Sequence, residues 1–406
     1  MFQIKNNTAG IAAAHGAWAR AKASGKIIAV AAYDLSAAFD TLDASMLLEK
    51  MTTFGITGTE AKWFSHYLTE RQQRVVANGE SSPLLPVQFG VPQGSILGPA
   101  LFLLAVADLP RALDFENDSG GTIGYADDTV LWVIAPTINL AKSRLEQASR
   151  VVLDYTARHH LALNPEKTQI LWPFVQNPPP VCIGGVLVDG SSNLDILGVS
   201  YDTKLRALPA IKLKTASARG ILGKVRCLGR HLPQSAIATI ARTLVAGKVG
   251  YSAAATFTPR FSEEDSCHGP TQALQVVVND VARAVLSVPR RRKTPVTTLL
   301  KKTSLPSINQ MTAKAIALET WKAIRVRDGP DGEPNPLGLL LGEPGSGLRV
   351  TRAAAEDFLP PALKTAQDTF VWTGMKIWNA CPSLRCAKSL SAAKKAAHSW
   401  SKTLPT

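Results

Sequence analysis

The chain has 406 residues, 46% of them hydrophobic, and a formal net charge of +14. That length accommodates two or three domains with a sizeable core, and the composition excludes a disordered tail. No run approaches the ~18 apolar residues of a membrane span, the start Met1-Phe2-Gln3-Ile4 is no signal peptide, and five scattered cysteines argue for a reducing compartment over a disulfide framework.

The charge is divided. Residues 1–200 carry a net −4 and residues 201–406 a net +18. An acidic front suits a metal site; a basic back suits a polyanion such as nucleic acid, or is simply a solvated surface.

In chain order, residues 9–23 are alanine-rich and read as a helix, and 27–33 as a strand that ends at Asp34. Residues 44–54 and 59–70 show helical spacing, punctuated by Gly55 and Gly58. A strand over 74–79 is expected to pair with Val87-Gln88-Phe89, followed by a loop, 90–95, and an apolar helix, 99–109. The stretch 123–134 reads as a hairpin whose tight polar centre holds Asp127 and Asp128. Two adjacent carboxylates on a turn repel, unless a divalent cation such as magnesium or manganese neutralises them. Asp34, at the end of its apolar run, stands where a strand could deliver a third carboxylate to the same metals.

An amphipathic helix is expected over 138–159, a turn over 161–168, then a strand over 169–174. Segments 181–188 and 194–201 read as one hairpin around Asp189-Gly190, and from 204 the pattern changes to basic helices, 204–227, 233–257 and 270–288. A Gly- and Pro-rich loop, 328–347, precedes a C-terminal tail. Cys381, Cys386 and His398 fit no common zinc spacing.

Three ordered blocks carry a resemblance: Tyr33-Asp34-Leu35-Ser36-Ala37-Ala38-Phe39-Asp40, then Gly90-Val91-Pro92-Gln93-Gly94-Ser95-Ile96-Leu97-Gly98-Pro99, then Tyr125-Ala126-Asp127-Asp128. With Leu163 to Thr168, Leu197-Gly198-Val199 and Trp378 to Pro382, they resemble the reverse transcriptases of non-LTR (LINE-type) retrotransposons. The match is strong over about 25–200, moderate over 200–325 and weak beyond. A group II intron maturase or telomerase-like enzyme would share the chemistry, but the blocks suit LINE-type elements better.

The resemblance implies an α/β (α+β) right-hand polymerase: a palm with a ferredoxin-like sheet over 25–202, a basic helical thumb over 203–327, a helical or irregular tail over 328–406, and a remnant of fingers or connection over 1–24. It implies RNA-directed DNA synthesis from deoxynucleoside triphosphates on an RNA template and DNA primer, with two Mg²⁺ (or Mn²⁺) ions. Asp34, Asp127 and Asp128 would be the metal carboxylates, with Leu35 beside them. Phe39, Gln93, Gly94, Tyr125 and Ala126 would meet the nucleotide, Phe39 also serving core packing, and its aromatic ring disfavours a 2′-hydroxyl. Lys167 would be the general acid for pyrophosphate, or a solvent-facing lysine. Leu197, Gly198 and Val199 would hold the primer end. Lys212, Lys214, Arg219, Lys224, Arg226 and Arg230 would contact phosphates, or form a solvated helix face. Asp40 and Asp43 are expected to cap or pair, and Arg290-Arg291-Arg292-Lys293 to bind RNA or direct nuclear import.

Only 33 residues precede Asp34, so most of the fingers expected of the family are absent and the chain is expected to be N-terminally truncated. The alternative function is a catalytically silent or domesticated fragment that binds nucleic acid without extending it. The expected location is intracellular, in cytoplasm, nucleus or both. The oligomeric state is open.

Overall fold

Ile27 to Leu35 is β-branched, alanine and aromatic almost throughout, the composition of a strand buried on both faces. In the computed structural model, which describes residues 2–405 apart from 4–6, 37–38, 93, 114, 116–118, 126–127, 263–264, 266–268 and 326–369, it forms the long strand β2 (Ile27–Ser36). β2 lies inside a five-stranded sheet with β1 (Phe2–Gln3), β7 (Gly120–Tyr125), β8 (Asp128–Ala135) and β9 (Ala162–Leu171), in the order β1-β7-β8-β2-β9. All pairings are antiparallel except β1 with β7.

Leaving β1 aside, the order β9-β2-β8-β7 places the fourth strand beside the first, then the third and the second, as the ferredoxin-like βαββαβ unit does. This is the expected palm. Helix α6 (Ile138–Arg158) starts at the Thr137 cap and buries Ala141, Leu145, Ala148, Val152 and Tyr155 against Ala29, Ala31, Tyr33, Leu131, Val133 and Ile170. Tyr33 is fully enclosed, its hydroxyl 2.8 Å from Ser149 Oγ, and burial drives its pKa up.

A second core gathers α2 (Ala44–Thr53), α3 (Gly58–Leu68) and α4 (Gly98–Ala105) around Leu35, Leu42, Leu47, Met51, Leu68, Leu101 and Phe102. The expected apolar helix 99–109 is shorter: α4 ends at Ala105, and a separate turn, α5 (Leu109–Ala112), begins with Pro110 in its first turn, where the missing N–H costs no intrahelical bond. Between α3 and α4, β3 (Arg71–Gln73) pairs with β6 (Leu85–Val87) and β4 (Val76–Ala77) with β5 (Glu80–Ser81). Val87 therefore has Arg71 as its partner, three residues before the expected strand.

Two further expectations are corrected. Residues 161–168 are not a free turn. β9 runs through them, and its register against β2 jumps from Ala32↔Gln169 to Asp34↔Asn164, so the polar segment with Pro165 is taken up as a bulge. Residues 181–201 are two hairpins, β10 (Val181–Ile183) with β11 (Val186–Val188), and β12 (Asn193–Ile196) with β13 (Val199–Asp202). Their two-residue turns fall at positive φ, at 184–185 and 197–198, as right-twisted hairpins require. Gly190 instead bridges to Ile170.

The chain divides into two units, Met1–Ile4 with Ile27–Ser191, and Lys5–Lys26 with Ser192–Thr406. The boundary thus falls at 191/192, where 202/203 was expected. Helix α1 (Asn7–Ala23) belongs to the second unit because it is apolar enough to be buried there. Trp18 meets Tyr201 edge-on at 6.4 Å, His15 stacks on Tyr201 at 5.6 Å, and His15 Nε2 hydrogen-bonds the Leu205 carbonyl at 3.1 Å.

The second unit is otherwise helical: α7 (Leu208–Leu228), α8 (Gln234–Lys248), the short α9 (Ala253–Thr256), α10 (Gly269–Val285), α11 (Val296–Thr303) and α12 (Ile308–Arg325). The described tail, α13 (Phe370–Ala380), α14 (Pro382–Arg385) and α15 (Leu390–Ser401), shares a core with α1 and α12 through Ala12, Ile316, Trp321, Ile377 and Trp378, and Trp321 Nε1 donates to the Ala387 carbonyl. It is no separate element. The loop expected over 328–347 lies outside the described residues. No helix among the described residues is long and apolar enough to cross a membrane.

Candidate active site

The acidic residues meet because of strand register. Asp34 on β2 is the Cα partner of Asp128 on β8, Asp128 is the partner of Tyr125 on β7, and Asp34 is also the partner of Asn164 on β9. Directly opposed residues project from the same face, with Cβ atoms roughly 5 Å apart. One row across four strands therefore reads Tyr125, Asp128, Asp34, Asn164. Tyr33 packs into the α6 core, so side-chain alternation turns Asp34 to the opposite face. Asp34 is partly exposed and Asp128 and Tyr125 are exposed, so the row faces solvent. Leu35 is 3% exposed with its side chain in the core, which leaves only its backbone for any ligand.

Like charges directly opposed across strands are destabilising. The bulge in β9 supplies a counter-charge. Asn164 Oδ1 accepts from the Glu166 and Lys167 amides, at 3.0 and 3.3 Å, folding 164–167 into a side-chain-capped turn. That turn returns Lys167 Nζ to within 3.4 Å of Asp34 Oδ2. Side-chain exposures of 65% for Lys167 and 42% for Asp34 make this a solvated pair, worth about 0–1 kcal/mol.

The donor set fits a hard divalent cation: carboxylate oxygens, open to water, on rigid paired strands, at a place where a cation already sits. Among the described residues no group of three or more His, Cys, Asp or Glu forms a metal cluster. Asp127 lies outside the described residues, as does Ala126; in sequence the two stand between the paired Tyr125 and Asp128.

The second block is clamped beside the first. Gly90 N donates to the Leu42 carbonyl at 2.7 Å and Val91 N to the Phe39 carbonyl at 2.9 Å. Gly90 adopts φ +82°, and a Cβ there would meet the Asp40 backbone at 2.9 Å, so neither the conformation nor the spacing admits a side chain. Arg71 holds the same loop, donating to the carbonyls of Leu68, Phe89 and Gly90. Gly94 has φ +79° and open space around it. Gln93 lies outside the described residues. Phe39 is half-buried with its ring centroid 5.0 Å from that of Phe102, so its packing role is observed directly. Asp43 is the N-cap of α2, accepting from Ser45 N at 2.7 Å and Met46 N at 3.0 Å, and these bonds, with the Ser45 hydroxyl, hold its pKa below the usual carboxylate range. Asp40 is exposed.

The remaining expected contacts lie in the second unit. Leu197 and Gly198 form the β12–β13 turn, with Leu197 and Val199 buried and the Leu197 carbonyl accepting from Tyr251 Oη at 3.0 Å. On α7, Lys212, Arg219, Lys224 and Arg226 are exposed, as is Arg230 just past its C-terminal end, and Lys212, Arg219 and Arg226 repeat every seven residues along one face. Lys214 is corrected. It is 6% exposed, donates to the Val249 and Tyr251 carbonyls, and sits 5.8 Å from the Tyr251 ring centroid, out of reach of a phosphate. Burial pushes its pKa down to about 8.

Sequence reasoning missed Arg71, a lone arginine between helix and strand with no local signal. It also missed a polar node joining α2 to α6, in which Lys50 Nζ donates to Asp108, to the Ala105 carbonyl and to Tyr155 Oη, and Tyr155 donates to Asp108. Desolvation lowers the Lys50 pKa. Asn164 was visible as part of a block, but its service to Lys167 was not. A cavity of about 690 Å³ in the second unit, lined by Phe261, Trp372 and Lys376 among others, contains none of the acidic row.

The family described as "Reverse transcriptase (RNA-dependent DNA polymerase)" matches residues 3–201. The chain is 32% identical over 160 residues to a probable RNA-directed DNA polymerase from transposon BS of Drosophila melanogaster, covering 37% of this chain and 17% of that protein. It is 28% identical over 145 residues to the RNA-directed DNA polymerase from mobile element jockey of the same organism, covering 34% and 16%. It is 27% identical over 115 residues to a Pol polyprotein from the type-1 retrotransposable element R2 of Popillia japonica, covering 26% and 19%. The chain thus spans under a fifth of the length of these curated relatives. Among solved structures, apo telomerase from Candida tropicalis aligns with a TM-score of 0.41 at 9% identity, over 80% of this chain and 55% of that one.

Proposed function

Residues 3–201 belong to the reverse transcriptase family, in the form found in non-LTR retrotransposons, and from that premise we propose that the chain adds deoxynucleotides to a primer 3′-hydroxyl on an RNA template. The observation that carries this reading is the Asp34–Asp128 pair, opposed across β2 and β8 inside the matched residues. The family uses divalent metal ions; here Asp34, Asp128 and Asp127, with the Leu35 backbone, would hold two Mg²⁺ or Mn²⁺. Bound there, the ions would activate the 3′-hydroxyl and neutralise charge on the leaving pyrophosphate.

The chain's own residues do the rest. β2 and β8 preset the carboxylate spacing, so no side chain must be reordered when charge develops. Lys167, 3.4 Å from Asp34 Oδ2, would donate the proton to the leaving pyrophosphate. The 90–95 loop is pinned by Arg71 and by the backbone of 39–42, and its Gly94 and Gln93, with Phe39, would meet the sugar and base of the incoming nucleotide. Tyr125, paired with Asp128, and its chain neighbour Ala126 would lie beside the metals. The Leu197–Val199 turn and the basic face of α7 would bind the primer strand and the duplex backbone.

The test is primer extension by the purified chain on poly(A)/oligo(dT) with Mg²⁺ or Mn²⁺. Metal-dependent extension abolished by both Asp34→Asn and Asp128→Asn supports the proposal. Extension that survives either substitution overturns the site, and absence of extension in the unaltered, folded chain overturns the activity.

A further inference from the structure

At the C-terminal end of α10, Arg283 and Arg290, which the polymerase reading does not use, join Arg226 of the α7 basic face in one cluster. Arg226, Arg283 and Arg290 line a cavity of about 450 Å³ together with Asp280, Ser287 and Pro289. Three guanidinium groups and one carboxylate leave it with two positive charges. Asp280 is 8% exposed and accepts a two-pronged pair from Arg290, Nε at 2.8 Å and Nη2 closer still. That pair spends two of the five N–H groups of Arg290 and fixes its plane, leaving the rest for another acceptor. Arg283 Nε is buried with no hydrogen-bond partner among the described residues. A buried donor without an acceptor costs about 1–3 kcal/mol, which a turn of the Arg283 guanidinium toward an anion in the cavity it lines would relieve.

A helix C-terminus normally repels anions through its free carbonyls. Here those carbonyls are already capped. Val288 N donates to the Arg283 carbonyl at 2.9 Å and Ser287 N to that of Ala284 at 3.3 Å, with Ser287 left-handed at φ +53°. This is the paired closure of a Schellman motif. Gln234 Nε2 covers the Val285 carbonyl at 3.2 Å. What remains facing the cavity is guanidinium. The chain then turns through Pro289–Arg292, closed by Arg292 N to the Pro289 carbonyl at 3.0 Å, with Arg291, Arg292 and Lys293 exposed. Arg226 is the last member of the Lys212–Arg219–Arg226 face, so this cavity continues the basic track of α7.

We propose that the Arg226–Arg283–Arg290 cavity is a phosphate site that grips the backbone of a nucleic-acid strand. The choice of a strand as the source of phosphate rests on the polymerase reading, but the test is a binding measurement without nucleotides, so it succeeds or fails apart from extension. A labelled RNA–DNA hybrid is titrated with the full chain across a salt series. Arg226→Gln and Arg290→Gln are each expected to reduce the slope of log K against log[salt] by about one and to weaken binding roughly 8-fold at ~0.1 M salt. Arg283→Lys, with folding checked by thermal melting, is expected to weaken binding while keeping net charge. Lys394→Gln, an exposed lysine on α15, is expected to leave the slope unchanged. Wild-type slopes in both arginine variants, or an equal drop in Lys394→Gln, overturn the site. Inorganic phosphate is titrated in parallel by calorimetry. Phosphate binding lost in the arginine variants while hybrid binding is untouched assigns the cavity to a small free anion and overturns the strand.

Discussion

Asp34 and Asp128 face each other across β2 and β8 as the last residue pair of that ladder, and Asp128 is in turn paired with Tyr125 on β7. Their chain separation is irrelevant to their distance, because antiparallel register decides it. The consequences of that placement, and of its surroundings, are open to measurement.

Asp128→Asn should lower metal-dependent extension by at least about 100-fold, the scale lost when a transition-state charge partner is removed. Because Asp128 is exposed, its stability should change by only about 0.5 kcal/mol either way. Extension assays beside thermal melts read the two effects separately, and unimpaired extension removes Asp128 from the site.

Lys167→Gln should behave differently. The exposed pair with Asp34 contributes about 0–1 kcal/mol, so unfolding should barely change. Extension should fall about 10²- to 10⁴-fold if the lysine donates a proton. Single-turnover rates with and without the substitution decide this, and an unchanged chemical step leaves Lys167 as a counter-charge alone.

Gly90→Ala should destabilise the first unit by about 1–3 kcal/mol, since its methyl would lie 2.9 Å from the Asp40 backbone at φ +82°. Urea unfolding gives the cost. Nucleotide KM should rise, because the loop carrying Gly94 is anchored at that contact.

Lys214 makes stability depend on pH in alkaline solution. Its pKa is about 8 in the fold and near 10.4 when unfolded, so between those values the unfolded chain binds more protons and stability rises with pH. From pH 7.5 to 9.5 the gain should be about 2 kcal/mol. Chemical denaturation of the unaltered chain and of Lys214→Met should show this slope in the former and its loss in the latter.

Asp43→Ala should cost about 1 kcal/mol by removing the α2 cap. The Asp43 carboxyl is held below its usual range, so its contribution is present above the ordinary Asp pKa and fades as pH falls through the lowered one. The difference between wild type and variant should therefore shrink on acidification, as unfolding curves at neutral and acid pH would show.

Local pattern made much of this legible. The apolar run of β2, the hairpin over 123–134, the helical stripe of α6 and the basic face of α7 are all short-range signals, and the strands and helices that carry them formed near their expected bounds. The bulge in β9 was not legible, because a Pro-containing polar segment reads as a turn until a neighbouring strand claims it. Lys214 was misread for a related reason. Its spacing suits an exposed face as well as a buried one, and only the packing of Tyr251 and Phe257 against it showed which.

The amino-acid order alone determined the carboxylate blocks, the βαββαβ succession and the charge asymmetry, since these depend on residue type and near-neighbour periodicity. The tertiary fold decided which carboxylates share a row, that Lys167 returns to Asp34, and that α1 and the described tail belong with the helical unit. Register, burial and ion pairing are agreements between distant segments, and no single segment carries them.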